Sequence, residues 1–150
     1  MKPFQFKLES VLHLRERNQT EAQQSHAAAG RRLEALVAEL AEAETEHKAR
    51  ARELEALQRA TFRPPERDIL WNGLKYQKDH CGRLEQKADH AVKDLKERRE
   101  KLLAAQSEHE AMVKLREKDE VEYNRVAELA ERAMVDDIVN SRHVAKQRPS

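Results

Sequence analysis

The chain has 150 residues, of which 38% are charged and only 4% aromatic, with three glycines and four prolines. Three Phe, one Trp and two Tyr are too few to fill the centre of a compact globule. The 29 Lys and Arg almost cancel the 28 Asp and Glu, leaving +1. The two signs also alternate, as in Lys93-Asp94-Leu95-Lys96-Glu97-Arg98-Arg99-Glu100. That pattern offers no continuous basic face for a phosphate backbone, so nucleic acid is not the expected partner.

Ala, Leu, Glu, Lys, Arg and Gln dominate, and these residues lose least on entering a helix. A single stretch interrupts them with certainty, Thr61-Phe62-Arg63-Pro64-Pro65-Glu66. Two prolines in a row end one helix, and Pro65 can open the next with Glu66 and Asp68 placed against its positive end. The expected fold class is all-α: a long two-helix antiparallel coiled-coil hairpin whose second helix overhangs. It would form one domain over 1–150, with helix one at about 8–62, a turn at about 62–65 and helix two at about 65–146.

Stepping alternately three and four residues tests for a seam, because that spacing keeps side chains on one face of a supercoiled helix. Helix one holds it from Leu8 and Leu12 through Ala22, Ala29, Leu33, Leu36, Leu40 and Ala43 to Leu54 and Leu57. Helix two holds it from Leu70 and Leu74 through Cys81, Leu84, Ala91, Leu95, Leu102 and Met112 to Tyr123 and Val126. A stripe of this length implies a partner helix, and the nearest is the other arm. Folding at the double proline would pair residues whose numbers sum to roughly 128–131, setting Leu57 against Leu70 and Leu74, and Leu8 near Glu120 to Tyr123. The last 25 or so residues of helix two would then project unpaired. There the run from Val126 to Val139 carries a wider apolar face, which is expected to dock into another protein.

The candidates for chemistry are weak. On the expected register His47 lies near Cys81, with His80 one step away, and a Cys/His cluster of that kind can bind zinc. Yet there is one thiol, no CxxC and no HxxxH spacing, so neutral histidines at polar seam positions are the simpler reading. Gly30, Gly73 and Gly82 stand alone in helical sequence and make no phosphate loop. No concave pocket is expected on such a fold, so neither catalysis nor a cofactor is expected. Gly73 and Gly82 mark a weaker or more closely approached segment of helix two. Trp71 and Tyr76 fall off the seam nearby; they either cap the hairpin tip against Phe62 or offer an exposed aromatic contact. A lone cysteine fits a reducing compartment. No apolar run approaches the length of a membrane span and residues 1–7 carry no signal-peptide core, so the cytoplasm is the expected location, without membrane insertion.

The two ends are more specific. The opening Phe4-x-Phe6-x-Leu8-x-x-Val11-Leu12-x-x-Arg15-Glu16-Arg17, followed by Glu21-Ala22-Gln23-Gln24, resembles the start of the FliJ family, the stalk component of the flagellar type III export apparatus. Lys114-Leu115-Arg116-Glu117-Lys118, Glu122-Tyr123-Asn124-Arg125 and Val135-Asp136-Asp137-Ile138-Val139 resemble the family's closing segment. The double proline and the stretch Trp71, Tyr76, Leu84-Glu85 fall where the family places its turn and the opening of its second helix.

The resemblance implies a soluble, non-catalytic stalk that inserts its helical ends into the hexameric export ATPase ring. It further implies contact with the cytoplasmic part of the export gate membrane protein and with export chaperones, at the periphery of the inner-membrane apparatus. On that reading Leu8, Val11, Leu12, Met134, Val135, Asp136, Ile138 and Arg142 belong to the ATPase-facing end. Trp71, Tyr76 and Leu84 belong to the gate-facing surface, where this sequence departs from the family pattern by carrying His80 and Cys81 in place of an aromatic before the Leu-Glu pair. Two other readings fit the composition: the stalk of a virulence type III secretion system, and a structural scaffold whose helices pair between chains.

Overall fold

The computed structural model describes residues 2–59 and 63–147. Among them the structure is all-α, with two long helices, α1 (Glu9–Arg59) and α2 (Pro64–Gln147). Helix α1 begins where the Phe6 carbonyl accepts the Glu9 amide at 3.2 Å, with the Glu9 carboxylate in the first turn. Helix α2 takes both prolines into its first turn, where the missing amide hydrogens have no intrahelical partner to lose. The Arg63 carbonyl, just outside, accepts the amides of Glu66 at 3.0 Å and Arg67 at 3.4 Å.

The chain divides into two compact units, Thr20–Leu103 and Met1–Gln19 with Ala104–Ser150. Within the first, α1 and α2 run antiparallel: Arg98 donates to the Ser25 hydroxyl at 2.8 Å, and the end of the Arg50 side chain lies beside Gly73. The seam of this unit follows the three-and-four stripe. Ala29, Leu54, Cys81, Leu84 and Ala91 are buried, and Leu33, Leu36, Leu40, Leu74 and Leu95 are half-buried. Two helices alone cannot enclose a side chain on all sides, and no large residue described is fully buried. Nothing lies within 4 Å of a Cβ built on Gly82, and at Gly73 only the far end of Arg50 does, at 3.8 Å. Neither glycine marks the close approach that one sequence reading allowed.

Within the second unit the helices are again antiparallel, shown by Arg15 against Glu108 at 2.8 Å and Glu9 against Arg116 at 3.4 Å. Ahead of α1 the non-helical residues 2–6 continue along α2 and bury Phe6.

The register differs from the expected one. Lys2 and Phe4, rather than Leu8, meet Tyr123. That displacement is four to six residues, roughly one helical turn or somewhat more. The expectation pivoted the chain on the prolines, but both already belong to α2. One consequence is chemical: His47 lies in a recess with Trp71, Leu74, Lys75 and Lys78. Among the described residues no group of three or more His, Cys, Asp or Glu could hold a metal ion.

Candidate partner-binding surfaces

In the unit formed by the two chain ends, the amino-terminal segment is held by aromatic and ionic contacts. The Phe4 and Tyr123 rings lie 5.6 Å apart with a 54° tilt, and the Tyr123 hydroxyl donates to the Lys2 carbonyl. Arg116 places its guanidinium 5.9 Å from the Phe4 ring centre while its Nε faces the Glu9 carboxylate. His13 stands 3.5 Å from both Glu9 and Glu16, and Glu16 approaches His109 at 3.8 Å. These contacts use up most of the amino-terminal side of the expected ATPase-facing end. Leu12 is buried and Val11 half-buried in the helix pair, so of the three residues placed there by resemblance only Leu8 is open. Phe4 and Phe6 are the residues that anchor the segment, a role the sequence reading did not assign to them.

Beyond the reach of residues 2–6, α2 has no covering helix. Every residue from 128 to 147 is exposed, among them Leu129, Met134, Val135, Ile138, Val139 and Val144. Asp136 and Arg142 are exposed there as well. The two halves of the expected end are not brought together. Glu9 meets Arg116, 18 residues before Met134, so Leu8 lies roughly 27 Å along the helix from Met134.

At the border between the covered and open stretches, Arg125 donates to both carboxylate oxygens of Glu122, at 2.6 and 3.1 Å. Those hydrogen bonds, and secondly the positive charge, hold the Glu122 carboxyl below its ordinary range; reciprocally, Arg125 is raised. Both side chains are on the surface, so this fixes a local rotamer more than it stabilises the fold.

In the other unit, Trp71 is 59% exposed and Tyr76 is 66% exposed. Trp71 lines an open recess of about 300 Å³ together with His47, Ala51, Leu74, Lys75 and Lys78. Tyr76 lies instead near Arg83, whose guanidinium is 5.8 Å from its ring centre. Five residues apart on a helix, the two aromatics point about 140° apart and do not form one patch. Leu84, read as part of the same surface, is 2% exposed and is a seam residue. The reason is its phase: it falls three and four residues from Cys81 and Ala88, on the stripe that faces α1. The expected cap of Trp71 against Phe62 lies outside the described residues.

No helix among the described residues is long and apolar enough to cross a membrane. No curated protein and no solved structure gives a significant match to the chain. One family model does match, over residues 4–148, and its description is Flagellar FliJ protein.

Proposed function

The chain belongs to the FliJ family of flagellar export apparatus components, and on that premise we propose that it is the apparatus's soluble cytoplasmic stalk, binding the hexameric export ATPase. The family is a non-catalytic component, and hydrolysis belongs to the ring in this reading. The observation that carries the proposal is the open carboxy-terminal stretch of α2. Met134, Val135 and Ile138 stand free in water, flanked by Asp136 and Arg142, in a helix that has outrun its partner. Apolar side chains in such a position gain by docking into a partner. Leu8 adds a further apolar contact. Leu12 and Leu84 contribute by holding the helices together, not by touching a partner. Trp71 and Tyr76 serve as contacts for the cytoplasmic part of the export gate, and escort of export chaperones completes the role.

The test is ATP turnover and hexamer formation by the cognate flagellar ATPase with and without this protein. Stimulated turnover that disappears when the chain is cut after residue 125 is the expected result. Unchanged turnover from a ring already shown to be active would rule out the stalk role and leave only the membership in the export apparatus.

A further inference from the structure

The open stretch of α2 carries a pattern that a ring-binding helix does not need. Ala127, Ala130, Met134, Ile138, Ser141 and Ala145 recur at the three-and-four spacing, so they form one stripe along the helix. The stripe is close to palindromic about residue 136. Small residues stand at both ends and the two large apolar ones, Met134 and Ile138, stand on either side of the centre. The charges have the opposite symmetry. Residues 128–137 hold Glu128, Glu131, Asp136 and Asp137 against one cation, Arg132, whereas residues 138–147 hold Arg142, His143 and Lys146 and no acid. All of these charged residues are exposed, and of the stripe only Ala127 is half-buried.

We propose that this segment pairs antiparallel with the same segment of a second copy of the chain. Two copies laid antiparallel about residue 136 place Met134 of each over Ile138 of the other, with Ala127 over Ala145. In an antiparallel helix pair, flanking residues meet the same flank of the partner, so Glu131 faces Arg142 and Glu128 faces Lys146, twice over by the dyad. A parallel pair would set acid against acid and base against base, and would align the helix dipoles unfavourably as well. The pairing is weak by construction, because Asp137 meets its own copy near the dyad. Its consequence, which rests on the ring-binding reading, is that the dimer hides Met134 and Ile138, and release of the dimer frees the segment for the ring.

The experiment is sedimentation equilibrium of the full chain over roughly 1 µM to 1 mM, the range in which weak pairs separate. The expected result is a monomer–dimer equilibrium that weakens with salt. Glu128→Lys with Glu131→Lys in one variant, and Arg142→Glu with Lys146→Glu in another, should each raise the dimer Kd by about tenfold or more. The two variants mixed should form a heterodimer as tight as the wild-type dimer. Asp137→Asn should tighten the wild-type dimer. Helicity by circular dichroism verifies that each variant is folded. A chain that stays monomeric throughout, or a dimer indifferent to both charge reversals, overturns the proposal. Monomeric protein that still stimulates the ATPase defeats this inference alone, and dimeric protein that never stimulates it defeats the stalk reading alone.

Discussion

Helix α2 is one helix under two regimes. From Leu74 to Tyr123 it lies against the amino-terminal half of the chain and its three-and-four stripe is buried or half-buried nearly throughout; from residue 128 onward the same helix is open on every side. Intrinsic helix propensity is similar in the two stretches, so the difference lies in what the apolar residues touch. In the covered part Leu, Ala and Cys side chains lose water to α1 and stabilise the fold. In the open part Met134, Val135 and Ile138 contribute little to the fold and are available to something else. One kind of sequence thus gives a covered and an uncovered stretch where one helix outruns the other.

The sharpest way to break this contrast is to truncate one leucine-sized residue in each regime. Leu84→Ala removes the most deeply buried side chain described and should cost about 2–4 kcal/mol in urea unfolding. Ile138→Ala, at an exposed site, should move the same measurement by no more than about 0.5 kcal/mol while impairing partner binding. Equal losses of stability at the two sites would show that the open stretch is covered after all.

A second substitution sharpens where the cover ends. Phe4→Ala removes the ring that Tyr123 and Arg116 both address and should cost about 1 kcal/mol, seen as faster amide exchange in residues 9–12 and 119–126 with little change elsewhere. Uniformly faster exchange along the chain would mean that the segment is part of a single cooperative unit and not a local clasp.

The smallest effect is expected at Glu122 and Arg125. A carboxyl held below its ordinary range adds stability that is present above the unfolded group's titration and lost as pH falls through the folded one. With both groups on the surface, Arg125→Ala should leave the Tm at neutral pH unchanged. The carboxyl carbon signal of Glu122 should titrate at higher pH in the variant. A signal that does not move would show that the bidentate contact is not formed in solution.

Much of the fold could be read from the residues alone. The heptad stripe marks the buried faces, and Leu12, Ala29, Leu54, Cys81, Leu84 and Ala91 all lie on it, because burial in a two-helix pair follows directly from period. The register could not be read in this way. Leu and Ala repeat so regularly that sliding one arm by a turn exchanges one plausible set of contacts for another, and the prolines fix where a helix starts without fixing where the chain has turned. The aromatic clasp of Phe4 on Tyr123 was hidden for the same reason, since it joins residues far apart in sequence whose meeting depends on that register.

The candidate surfaces divide along the same line. Exposure of Met134, Val135 and Ile138 was foreseeable from the unequal arm lengths. The burial of Leu84 was foreseeable from its phase, which outweighs its place in a family-like motif. The sequence by itself determined two long helices, the face each would bury and an unequal ending, because these follow from periodicity and from where proline is tolerated. Only the tertiary structure decided which residue meets which, and hence that His47 shares a recess with Trp71, since contacts between distant segments depend on the sum of many weak, nearly equivalent packings.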